Sequence, residues 1–302
     1  MSYLELAAIG KNDWWRYLLS LLLIAFFWQI LGAIPIGALM IMVTSDADPA
    51  TDFNPATLQF EGINPIFGYL ALNFSFLALL VGLWIAVRFI HKRSFTSLIT
   101  PNLIPHWQRI LVGFGVYFAL MLVMTGLGVL LEPENYTFTF DASQFLLFLP
   151  LALILTPMQA GAEELLFRGY LLQGIGRLTA DRRLAAVVSA ILFMLPHLLN
   201  PEAKLDPIIM PLTYFVLGLF LAIITLKDNS LELAIGAHSA NNLFTFLFSN
   251  YEGSVVSSPS VLTETSMDPL SSLISVVILA SLFYVIVFHV LPRWWPATIE
   301  TA

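Results

Sequence analysis

The sequence predicts an all-α fold, a polytopic membrane bundle of about eight transmembrane helices. Three observations carry this. Of 302 residues, 58% are hydrophobic and only 11% are charged, with mean hydropathy +0.84; soluble domains carry about a quarter charged residues. The apolar residues fall in continuous runs, most near the ~20 residues a helix needs to cross a bilayer. Within those runs they do not alternate every second residue, as the strands of a membrane barrel would.

The first run, 17–43, is too long for a signal-peptide core and lacks a small-residue cleavage pattern, so it is expected to be a retained first helix. Spans at 66–90 and 109–131 come next. The fourth, 144–172, is long; at ~1.5 Å per residue it exceeds the ~30 Å hydrocarbon core and must tilt or project. The fifth, 184–200, is short, and 208–226, 231–248 and 271–291 complete the set. The longest connections, 44–65 and 249–270, are polar. No internal repeat or soluble domain interrupts the pattern, so residues 1–302 are expected to form one membrane domain.

Charge sorts the connections. Lys11, Arg16, Arg88, Lys92, Arg93, Arg109, Arg177, Arg182, Arg183, Lys227 and Arg293 fall at the N-terminus, in every second loop or near the C-terminus. The alternate loops hold Asp46, Asp48, Asp52, Glu61, Glu132, Glu134, Asp141, Glu252, Glu264 and Asp268, with Lys204 as their base. The positive-inside rule then expects both termini in the cytoplasm, and an even number of spans agrees. The expected location is the plasma (inner) membrane of a prokaryote. A net charge of −7 argues against nucleic acid as a partner, and the absence of cysteine removes disulfides, thiol nucleophiles and thiolate metal sites.

Against this apolar background three polar clusters stand out. Glu163 and Glu164 lie side by side in the fourth run, with Arg168 one helical turn beyond Glu164. Phe193 and His197 share a face of the fifth run, and His238 and Asn242 a face of the seventh. An intramembrane carboxylate costs a few kcal/mol on insertion scales. Counted from the basic ends of their helices, all three clusters lie roughly 10–20 Å deep, so they are expected to converge on a cavity opening toward the basic loops.

Each cluster also has a bland reading: a structural Glu164–Arg168 ion pair, an arginine snorkelling to the interface, histidine and asparagine as interhelical hydrogen-bond partners. Glu163 resists that reading, because it points about 100° away from Glu164 and one arginine is not placed to satisfy both. An arginine beside one carboxylate and histidines near the other would separate the two in acidity, leaving one as a base. A Glu/His set can deprotonate water, directly or on a metal, and Asn242 and His238 can donate to a developing oxyanion. These groups suit peptide hydrolysis by activated water. The sequence has no His-Glu-x-x-His zinc motif, no aspartate within a span and no Gly-x-Ser-Gly nucleophile segment.

Taken together, Glu163-Glu164-x-x-x-Arg168, Phe193-x-x-x-His197 and His238-x-x-x-Asn242 resemble the CPBP intramembrane proteases. These are also called the Abi or type II CAAX prenyl endopeptidase (CAAX prenyl protease 2) family, which includes the eukaryotic Ras-converting endopeptidase. The motif-bearing core covers 144–248. The resemblance implies Glu163 as the base, His197 holding the same water, His238 and Asn242 at the oxyanion, and Arg168 fixing Glu164. It leaves the cofactor open between zinc and none; Glu163, His197 and His238 would be the ligands of a divalent ion. The implied partners are membrane lipid and a peptide or lipid-modified protein substrate. Two other functions use the same polar groups: a proton-coupled membrane transporter, and a non-proteolytic membrane scaffold or immunity factor.

Overall fold

The structure is a computed structural model and describes residues 1–46, 48–179 and 181–291. Arg293, counted among the basic residues, and the C-terminal residue Ala302, expected in the cytoplasm, lie outside the described residues. Among the described residues ten α-helices follow one another: α1 Trp14–Ala25, α2 Ile34–Ser45, α3 Pro65–Ile85, α4 Trp107–Leu131, α5 Ala142–Glu164, α6 Leu172–Leu178, α7 Arg182–His197, α8 Ile209–Asp228, α9 Glu232–Leu247 and α10 Pro269–Val285. Segments with π-helical hydrogen bonding extend α1, α3 and α10 and join α5 to α6. Helix starts are set by side-chain caps. Asn64, Asp141, Asp181 and Asp268 each accept a backbone N–H from the first turn that would otherwise have no partner.

Among the described residues, six helical units are long and apolar enough to cross a membrane: Trp14–Ser45, Pro65–Ile90, Trp107–Leu131, Ala142–Leu178, Ile209–Asp228 and Pro269–Val290. The count of eight is not reached on that measure. The expected fifth and seventh spans are α7 and α9, helices of only 16 residues each. These two short helices carry His197, His238 and Asn242. The fourth unit is 37 residues long, in keeping with its expected excess length.

Apolar side chains cover the outside as well as the core. Leu18, Leu22, Phe26 and Ile30, each four residues after the last, are all well exposed. Such a stripe is what lipid, not water, solvates. Inside, α4 and α9 approach closely through two glycines. A Cβ on Gly113 would collide with the Leu233 carbonyl, and one on Gly236 with Ile110 and Phe114 backbone atoms. The basic-loop ends of α4, α8 and α9 are tied by Arg109, which pairs with Asp228 and lies 3.3 Å from Glu232.

The polar connections are not featureless loops. β1 Asp52–Asn54 and β2 Gln59–Glu61 form a hairpin. β3 Tyr136–Phe138, β4 Ser249–Tyr251 and β5 Leu262–Glu264 form a small sheet in the order β3-β5-β4. This sheet joins two acidic connections, α4–α5 and α9–α10, at one end of the bundle. The Gln59 amide donates to the Ser254 carbonyl and ties the hairpin to the same end.

Candidate active site

The two adjacent glutamates diverge as helical geometry requires. Glu164 points into the protein and is fully buried. One of its oxygens, Oε1, accepts from Arg168 Nη1 at 2.6 Å and from His238 Nδ1 at 2.7 Å. Arg168 is also fully buried, donates from Nη2 to the Gly218 carbonyl at 3.1 Å and lies 4.2 Å over the Phe193 ring. It therefore does not snorkel. The π-helical segment Leu165–Leu171 begins immediately after Glu164 and carries Arg168; such widened turns recur at functional sites. At the same level the Tyr3 hydroxyl lies 2.6 Å from the Leu98 carbonyl and 3.2 Å from that of Arg168. The N-terminal segment is thus part of the support behind the site.

Glu163 faces the other way, into a cavity of about 350 Å³. Its Oε2 is buried and has no hydrogen-bond partner. Two imidazoles face that same oxygen, with His197 Nε2 and His238 Nε2 each at 3.9 Å. Their tautomers are set by their other contacts. His197 Nδ1 lies 2.8 Å from the Phe193 carbonyl, which can only accept. His238 Nδ1 lies against the Glu164 carboxylate. Each Nδ1 therefore carries a hydrogen, and in its neutral form each imidazole presents a lone pair at Nε2. At 3.9 Å no direct hydrogen bond forms, but one small oxygen between the groups can meet all of them.

Phe193, the other residue of the His197 motif, is buried at the centre of this arrangement. Its ring lies 4.5 Å from His197, 5.8 Å from His238 and 5.3 Å from Phe167, centroid to centroid. It holds both imidazoles and the guanidinium in one packed unit. Asn242 lines the same cavity. Its Oδ1 accepts from Asn241 Nδ2 at 3.0 Å, which turns its Nδ2–H groups away from that bond.

All six candidate residues thus meet in one region, Glu164 and Arg168 behind the cavity and the other four on its wall. The expected opening toward the basic loops is not what the lining shows. The cavity continues past Asn200, Glu202, Tyr251 and the segment Ser254–Val256, all at the acidic-loop end. The reason is the shortness of α7. It ends at His197, so the space beyond belongs to connections, and Ser254 and Val256 fold inward and are buried there.

Sequence reasoning missed four wall residues. Gln159 sits one turn before Glu163 and lines the cavity with its Oε1 unpartnered. Tyr214 stacks on His197 at 4.6 Å and donates to Glu202 at 2.8 Å; Asn200 and Glu202 complete that corner. The i−4 spacing of Gln159 was available as a signal; the other three come together only in the fold.

The donor types fit a divalent ion: two imidazole lone pairs and a free carboxylate oxygen. Among the described residues, no three His, Asp, Glu or Cys side chains stand grouped at metal-holding spacing.

Comparison with known proteins agrees with the motifs. Residues 142–244 match the family described as type II CAAX prenyl endopeptidase Rce1-like. The chain is also 34% identical, over 263 residues, to the uncharacterized protein YyaK of Bacillus subtilis (strain 168), an alignment covering 86% of this chain and 87% of that one. No solved structure matches.

Proposed function

Since the chain belongs to the Rce1-like type II CAAX prenyl endopeptidase family, we propose that it is an intramembrane endopeptidase. It would hydrolyse a peptide bond of a membrane-associated peptide or protein with water activated between Glu163, His197 and His238. One observation carries the reading: two imidazole Nε2 atoms stand 3.9 Å from the same unpartnered, buried Glu163 oxygen.

The donors and acceptors dictate the steps. Water at this point gives one hydrogen bond to Glu163 and one to an imidazole Nε2, which leaves its lone pair free. Glu163 takes a proton as the hydroxide attacks the peptide carbonyl carbon. Asn242 Nδ2 donates to the carbonyl oxygen as it gains charge. His238 with its hydrogen on Nδ1 accepts at Nε2; it joins the oxyanion site only as imidazolium. Protonated Glu163 then returns the proton to the leaving amine, giving a carboxylic acid and an amine. Glu164, held by Arg168, keeps His238 in this tautomer, as a buried carboxylate does for a catalytic histidine.

If a divalent ion is bound in the active enzyme, Glu163, His197 and His238 would hold it, and it would supply Lewis acidity at the same point. The substrate class that the family's description supports is a protein tail carrying a lipid.

Glu163→Gln is the direct test. Peptide turnover in detergent or proteoliposomes should fall ~10²–10⁴-fold, as for loss of a general base, with thermal stability kept. Near wild-type turnover would remove Glu163 as the base.

A further inference from the structure

We infer that Glu202 forms a substrate subsite that selects a lysine or arginine side chain close to the scissile bond. This rests on the endopeptidase reading above. Glu202 lies five residues after His197, on the wall of the same cavity. It is only 5% exposed. Its Oε1 accepts from the Tyr214 hydroxyl at 2.8 Å and from Asn200 Nδ2 at 3.2 Å, which fixes the carboxylate in place. Its Oε2 is buried and makes no hydrogen bond of good geometry, although the Tyr251 hydroxyl lies close to the carboxylate. Tyr251, a second aromatic residue, lines the cavity beside it.

No cation of the described residues compensates this group. The nearest base in sequence, Lys204, instead donates to the Ala56 carbonyl, and Glu202 takes part in none of the ion pairs formed among the described residues. A buried carboxylate oxygen without a donor is costly to keep. In a cavity built to take a chain, the missing donor is supplied by what enters. A buried carboxylate whose second oxygen faces a cavity is the chemistry that holds an ammonium or guanidinium, through a charge-assisted bond.

The position relative to the chemistry is also fixed. Tyr214 touches His197 with its ring and Glu202 with its hydroxyl. The subsite is therefore one tyrosine side chain away from the water-activating group. At ~3.3–3.6 Å per extended residue, that is about two or three residues of substrate. Glu163 cannot serve the same purpose, because its free oxygen faces the two imidazoles.

The test uses the full chain in detergent and a randomised synthetic peptide library, with cleavage positions read by mass spectrometry. Lys and Arg should be enriched about tenfold at one fixed distance from the cleaved bond, the ratio a single charge-assisted contact gives. In Glu202→Gln that enrichment should fall to near one, and in Glu202→Lys it should turn toward Asp and Glu. Cleavage by wild type without basic enrichment, or enrichment unchanged in Glu202→Gln, overturns the subsite while leaving the peptidase reading intact. If wild type cleaves nothing, the peptidase reading fails and binding decides the subsite. Lysine-containing peptides should then bind the Glu163→Gln chain at least about fivefold more tightly than the Glu163→Gln/Glu202→Gln chain. Equal binding overturns the subsite.

Discussion

Replacing Glu164 by glutamine removes a single charge and almost no volume, so its consequences isolate electrostatics. In the native protein one oxygen of Glu164 receives both Arg168 Nη1 at 2.6 Å and His238 Nδ1 at 2.7 Å. Neither the carboxylate nor the guanidinium is exposed to any degree. Arg168 therefore has no route to lipid headgroups, and solvent does not weaken the loss. Two contacts remain to it, the Gly218 carbonyl at 3.1 Å and the Phe193 ring at 4.2 Å. Neither supplies a negative charge. Breaking a buried pair of this kind costs ~3–5 kcal/mol. At ~2–4 °C per kcal/mol for a chain of this order of size, the midpoint should drop by roughly 6–20 °C.

A paired change separates the ion pair from mere packing. Glu164→Gln with Arg168→Met leaves no unpaired charge, and should recover much of the loss, as buried pairs replaced by neutral groups often do. Turnover should not recover with it, because His238 still lacks its carboxylate; a lost orienting partner typically costs ~10–100-fold. The assay is thermal unfolding in one detergent beside peptide turnover for wild type, both single variants and the double. A Glu164→Gln midpoint within about 1 °C of wild type would refute the reasoning. So would a double variant whose loss equals the sum of the singles.

Three further outcomes are expected. Asn242→Ala should lower kcat by ~10²–10³-fold with little change in KM, the pattern of an oxyanion donor; a pure KM effect would assign Asn242 to substrate binding instead. Dialysis against a chelator, with metal counted before and after, should leave turnover unchanged if Glu163 and the imidazoles hold water by themselves; loss restored by stoichiometric zinc would make those three residues ligands. His91, just beyond α3 and its π-helical extension, is buried, and burial lowers its imidazole from the ordinary range. The unfolded chain therefore gains the proton first as pH falls below about 6.5, and the folded state loses stability there. His91→Gln should flatten the dependence of the midpoint between about pH 5 and 7; an unchanged slope would place the titration elsewhere.

The chain by itself determined the solvent, the helical class and the residues of the candidate site. Composition and run length decide that helices sit in lipid, because every backbone polar group there must be satisfied within its own segment. Helical periodicity alone put Glu164 with Arg168, Phe193 with His197 and His238 with Asn242, and set Glu163 apart from its neighbour. Those are local facts, and the fold keeps them. What tertiary structure decided depends on contacts between segments distant in sequence. Periodicity cannot say that Glu164, rather than Glu163, receives His238 Nδ1, nor that this contact leaves Nε2 facing Glu163. It did not foresee that the cavity extends toward the acidic loops, because depth was counted along helices while α7 stops at His197 and buried connections line the cavity beyond that helix end. It passed over Glu202, an ordinary acidic residue in a connection until Tyr214 and Asn200 bury it against the cavity. A carboxylate's role is set by the donors around it, and those donors come from three different segments that only the folded bundle brings together.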